Sequence, residues 1–203
     1  MIDEQIKLTK NEEEILRSII SKKFFKISSE QFPDSYSEFM WPIYATFEDS
    51  YIKIEDMDIV SKLFDLVEDG TRPSVSMSKY RKEHDIYTKN INRIVQDVFI
   101  VTYSFEFEAD EQNEAYKIAY PKAIIFNFND CNFIIEKYWI FTLGGLFVYL
   151  EPFESKNFGF HDEVGCWYYP GDTALDGRVP IVTQIVHSLK QGTDISIKHG
   201  LDL

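Results

Sequence analysis

The stretch from Val98 to Phe153 constrains the fold of this chain more than any other. Phe99, Val101, Tyr103, Phe105 and Phe107 alternate with Thr102, Ser104, Glu106 and Glu108. A period of two marks a strand with one buried and one wet face. The polar, acidic residues 110–113 suit a turn, after which Tyr116, Ile118 and Tyr120 resume the alternation. Pro121 has no N–H to give to a ladder, so it marks a bulge, an edge or a break before Ile124, Phe126 and Phe128. Asn127 to Asp130 supply turn chemistry, because Asn and Asp tolerate left-handed backbone. Gly144-Gly145 lies between two apolar runs and predicts a tight hairpin with Leu143 opposite Leu146, Phe141 opposite Val148 and Trp139 opposite Leu150. Both runs are apolar on both faces, which implies central strands covered by helices on one side at least.

Helical periods frame this region. Asn11 and Glu14 have capping-box spacing, and Ile15, Leu16, Ile19, Ile20 and Phe24 form one stripe, which predicts a helix over 11–25. Ser35 and Glu38 repeat the spacing for a short helix over 35–41, stopped by Pro42. Residues 43–54 read as two short strands around Glu48-Asp49-Ser50. Asp56 then caps a helix bearing Ile59, Val60, Leu63, Phe64 and Val67, with Gly70 as its C-terminal glycine. Residues 71–90 are locally basic and read as a loop leading into a short helix over 86–95. A last helix over 179–190 has Pro180 in its first turn, Ile181, Val182, Ile185, Val186 and Leu189 on its buried face, and Gly192 after it. Ile195 to Lys198 read as a final strand at the sheet edge. The expected fold is therefore α+β. It is a single domain over 1–203, with one antiparallel sheet of about four to six strands centred on 98–153 and packed by N-terminal and C-terminal amphipathic helices.

Composition narrows the function. Hydrophobic residues make up 44% and aromatic residues 16%, which is incompatible with disorder. A net charge of −13 disfavours a binder of nucleic-acid phosphates and suits a basic protein partner. Cys131 and Cys166 make no disulfide framework, and no run reaches the roughly 20 apolar residues of a membrane helix. A cytoplasmic protein with neither membrane nor cofactor follows as the expectation.

Residues 154–178 are long, irregular and acidic, and loops of that kind carry function more often than not. Three chemistries compete there. Gly165-Cys166-Trp167 resembles the Cys-Trp pair of papain-like proteases, but Pro170 and Gly171 prevent the helix start that would activate the thiol. His161, Asp162, Glu163, Cys166, Asp172 and Asp176 include metal-ligating types without the spacing of a zinc or calcium site. The third chemistry is recognition. Trp167, Tyr168 and Tyr169 stand among Asp162, Glu163, Asp172 and Asp176, and aromatic rings rimmed by carboxylates suit contact with a basic protein. Those seven residues are the candidate binding site, with no catalytic residue and no metal assigned.

The segment Phe32-Pro33-Asp34-Ser35-Tyr36-Ser37-Glu38-Phe39-Met40, following the helical EEEILRSII, resembles the opening of the SUKH superfamily. The Asn-Gly-Gly that commonly follows there is replaced by Trp41-Pro42. Many bacterial members are immunity proteins against toxins, and the resemblance implies that class without carrying over any residue. The expected function is a non-enzymatic binding protein, most concretely an acidic immunity or inhibitor protein that neutralises a toxin or nuclease. The alternative is a small hydrolase or transferase with its site around 154–178.

Overall fold

The computed structural model describes residues 2–31, 42–63, 66–109, 111, 114–137, 146–152 and 180–199. In chain order the elements are β1 (Ile2–Gln5), α1 (Lys10–Ser18), β2 (Lys23–Ser29), β3 (Ile43–Phe47), β4 (Tyr51–Leu63) and β5 (Leu66–Met77), followed, after a 3-10 turn at Lys82–His84, by β6 (Tyr87–Ile94). The second half contributes β7 (Asp97–Phe107), β8 (Tyr116–Asn127), β9 (Cys131–Lys137), β10 (Leu146–Pro152), β11 (Ile181–Ser188) and β12 (Thr193–His199). They form a seven-stranded sheet in the order β10-β9-β8-β7-β11-β12, with β1 also paired to β8, and a five-stranded sheet in the order β5-β4-β3-β2-β6. The expectation of one sheet packed by terminal helices is thus overturned. The chain is mostly β with two sheets, and α1 is the only α-helix among the described residues.

Each correction has a local cause. The segment expected as a C-terminal helix is strand β11, hydrogen-bonded to both β7 and β12. Its Ile181, Val182, Thr183, Ile185 and Val186 are β-branched and fit a pleated surface better than a helix. The helix expected from Asp56 is the middle of β4, which pairs with β5 continuously from Ile52↔Met77 to Leu63↔Leu66. The basic loop and short helix expected over 71–95 are largely β5 and β6. α1 begins earlier than expected, capped by Thr9 with Glu12 as box partner rather than Asn11 with Glu14, and the chain is already in β2 by Lys23. The helix expected over 35–41 and the turn at Gly144-Gly145 lie outside the described residues.

The central alternation stands. Val101, Tyr103, Phe105 and Phe107 share one buried cluster with Tyr116, Ile118 and Tyr120. Pro121 does mark a bulge. Thr102 pairs with Pro121 and Val101 with Ala123, so Lys122 is the extra residue of β8. This single insertion exchanges the faces of the strand. Ile124, Phe126 and Phe128 enter a different cluster from Tyr116, Ile118 and Tyr120. Pro121 also divides the far edge of β8, where β1 pairs in parallel with residues 116–119 and β9 antiparallel with residues 123–127. β10 does pair antiparallel with β9, but Leu146 faces Lys137 and Val148 faces Ile135. The partners expected for them lie an even number of residues further on, so the slip leaves the faces of the strands unchanged. Ile195 to Lys198 form an edge strand as expected, reached through Gly192 at φ +65°.

The larger core lies where the sheets and α1 meet. Phe24 stacks on Phe47 at 4.7 Å between ring centroids and meets Phe126, Phe128 and Phe133 within 6.1 Å. Leu16 of α1 and Ile19, at its C-cap, complete it. Beyond Ile54, β4 pairs only with β5 among the described strands. This two-stranded ribbon is fastened to α1 by Arg72–Glu12 and to β9 by Lys137–Asp56, both at 3.0 Å.

Candidate functional site

Two places in the described structure gather polar chemistry. The first is a groove of about 520 Å³ on one face of the seven-stranded sheet. Its floor is read directly from the register: Ser104 pairs with Ala119, Thr102 with Pro121 and Ile185, and Ile100 with His187. Nearer the five-stranded sheet this same face carries Val98, Ile124 and Phe126, which are fully buried. At Thr102, Ser104 and Ala119 the side chains become small or polar, and the face opens into the groove. The segment from β1 to α1 overhangs it through Lys7, Leu8, Glu13 and Arg17. Arg17 donates from Nη1 to the carbonyl oxygen of Leu189, which fixes α1 to the end of β11.

At the far side, His187 Nδ1 lies 2.5 Å from Asp194 Oδ1. An Asp–His pair invites comparison with nucleophilic catalysis. However, the residues facing His187 across the ladder are Asp194 and Ile100, and Thr102 is two residues further along β7. The imidazole therefore has no hydroxyl opposite it among the described residues. The pair orients a ring at a groove wall.

The second place is the outer face of the five-stranded sheet. Tyr44 of β3 and Tyr51 of β4 stack with centroids 5.7 Å apart, and the ring of His84 lies 3.7 Å from that of Tyr44. Tyr44 donates its hydroxyl to Glu30 Oε1 at 2.6 Å, and His84 Nε2 approaches the same oxygen at 3.5 Å. Lys26 and the hydroxyl of Tyr80 converge on Asp85 Oδ2, each at 2.6 Å. Burial pushes the Asp85 carboxyl up, but the hydrogen bonds from Lys26 and Tyr80 outweigh it and hold the group below its usual range. His84 is only 6% exposed, so its partners are internal to the protein and the cluster latches residues 78–86 onto the sheet.

Burial raises both tyrosines, and Tyr51 is pushed up to about 12. A phenol raised on folding favours the neutral native state below its unfolded value and loses that contribution as pH rises through the folded one. Stability should therefore fall between about pH 10 and 12, and less so in Tyr51→Phe. Urea melts at stepped pH check this. Equal alkaline slopes for both chains would show that Tyr51 does not titrate late.

The residues expected to bind a partner, Asp162, Glu163, Trp167, Tyr168, Tyr169, Asp172 and Asp176, all lie outside the described residues, as do His161 and Cys166. Sequence reading missed both the groove and the tyrosine cluster. Alternation across Tyr44, Thr46 and Tyr51, Lys53 was the available signal for the cluster. The groove had none, because it depends on the pairing of β7, β8 and β11. Among the described residues there is no group of His, Cys, Asp and Glu placed to hold a metal ion, and no helix is long and apolar enough to cross a membrane. Compared with family models, curated proteins and solved structures, the chain matches none. The segment that resembles the SUKH opening lies outside the described residues from Phe32 to Trp41.

Proposed function

We propose that the protein acts by contact rather than catalysis, as an acidic inhibitor of the immunity type that neutralises a basic toxin or nuclease. The observation that supports this most is a crowd of carboxylates at one end of the seven-stranded sheet. Glu106, Glu108, Glu111 and Glu114 flank the β7–β8 turn and are exposed. Parallel pairing of β1 with β8 brings Asp3 and Glu4 beside them, opposite Lys117 and Ile118. Like charges held this close raise the local potential and steer a cationic partner. The aromatic and acidic residues of 154–178 are proposed as a second part of the contact, supplying rings that a charged rim alone lacks.

The test starts with a partner retained from native lysate by the intact protein. Asp3→Asn, Glu106→Gln and Glu111→Gln together should slow association by about tenfold at low salt and flatten its salt dependence, with dissociation little changed. Stopped-flow mixing reads this. An unchanged association rate and salt slope would remove this end of the sheet from the contact, and retention of acidic proteins only would overturn the reading.

A further inference from the structure

We propose that the groove across β8, β7 and β11 is a binding site for a small amphiphilic anion, an apolar body carrying one carboxylate or phosphate. The site goes beyond the partner surface above, and its test needs no partner.

Size comes first. About 520 Å³ falls within the 300–1,000 Å³ range of small-molecule sites. The floor supplies apolar contact through Ile100, Ala119, Pro121 and Ile185. Pro121 adds a surface without an N–H, so an apolar group can lie there without stranding a donor.

Charge gives the sign of the ligand. Lys7, Arg17 and Lys117 line the groove against Glu13 and Asp194. Asp194 is already engaged by His187, and Glu13 stands one helical turn before Arg17. Lys117 has Glu106 at 3.7 Å. Lys7 and Arg17 form no ion pair with any carboxylate among the described residues, and Arg17 instead donates to the backbone of Leu189. The groove of a chain of net charge −13 thus carries three cations, Lys7, Arg17 and Lys117, against two carboxylates, Glu13 and Asp194. Lys7 stands on the β1–α1 segment above the apolar floor, so one ligand can touch both. An anionic head there gains charge-assisted hydrogen bonds while its body removes apolar surface from water.

Calorimetry with octanoate, octyl phosphate and neutral octanol tests the proposal. At least one anion should bind below about 1 mM, at least tenfold tighter than octanol, and whichever binds better assigns the head group. Raising salt from about 0.15 to 0.5 M should weaken it, since exposed charges are screened. Lys7→Gln, an exposed change that disturbs no packing, should weaken the anion about tenfold and leave octanol unchanged. Thr102→Trp should fill the floor and remove all three. The proposal is overturned if neither anion binds below about 1 mM, if octanol binds as well as they do, or if Lys7→Gln binds the anions as the natural chain does.

Discussion

Glu12→Ala should cost about 3–5 kcal/mol of folding stability at neutral pH, as read by urea denaturation. The carboxylate serves three elements at once. Its Oε2 accepts from the backbone N–H of Thr9 at 2.7 Å while Thr9 Oγ1 accepts from the N–H of Glu12, closing the box that starts α1. Its Oε1 accepts from Arg72 Nη1 at 3.0 Å and from the N–H of Val75 at 3.1 Å, both in β5. Arg72 is only 5% exposed, so truncation leaves a buried guanidinium without its counter-charge. Loss of the cap alone accounts for about 1 kcal/mol, the value expected of Thr9→Ala. If the two variants cost the same, Glu12 acts as a helix cap and the link to β5 contributes nothing.

The same carboxylate should dominate acid unfolding. Burial alone would push its titration up. The hydrogen bonds from Arg72, Thr9, Ser74 and Val75 prevail and bring it from 4.5 down to about 2. A depressed acid contributes stability above its unfolded value and loses it as pH falls through the folded one. The window is therefore about pH 5 to 2, and the loss is on the order of 3 kcal/mol. Glu12→Gln should show a shallower acid limb, with its deficit against the natural chain shrinking across that window. Parallel acid limbs would refute the assignment.

How much of this was legible follows from what each strand buries. β7 announced itself because Tyr103, Phe105 and Phe107 all face one cluster while Thr102 and Glu106 do not. β11 did not, because it is paired on both edges. Val182 packs into one core while Ile185 and His187 line the groove on the other face. A strand apolar on both faces loses its period of two, and Ile181, Val182, Ile185 and Val186 then match a helical stripe equally well. β-branching was the residual signal. The β4–β5 ribbon was hidden differently, since Phe64-Asp65 between its arms has none of the Asn-Gly or Gly-Gly chemistry that announces a hairpin. At Pro121 the sequence signal named three possibilities, and the inserted Lys122 decided for the bulge. The bulge also sets electrostatics, for it places the buried Lys122 amine 3.2 Å from Glu136 and over the ring of Tyr103. The candidate site was the least legible, since the groove draws on six elements far apart in the chain.

Asp56→Ala should destabilise the protein by about 3–5 kcal/mol, whereas Asp56→Leu combined with Lys137→Met should stay within about 1 kcal/mol of the natural chain. Lys137 is fully buried and Asp56 is 2% exposed at the side chain, with Nζ donating to Oδ2 at 3.0 Å. The partner oxygen Oδ1 has no hydrogen bond among the described residues, and the residue opposite Asp56 is Pro73, which has no N–H to offer. The carboxylate is therefore only partly compensated, and a buried ion pair with a half-satisfied carboxylate gives up little when both charges become apolar. Removing the carboxylate alone takes a counter-charge away from a fully buried amine. The loss should also be local before it is global. A two-stranded ribbon has marginal stability of its own, and residues 55–63 and 66–74 pair only with each other among the described strands. Hydrogen exchange in Asp56→Ala should therefore speed up first in the ribbon amides and last in β7 and β8. A variant that loses less than about 1 kcal/mol, with ribbon exchange unchanged, would show that the ribbon is held by its packing against α1 and β8 and not by this ion pair.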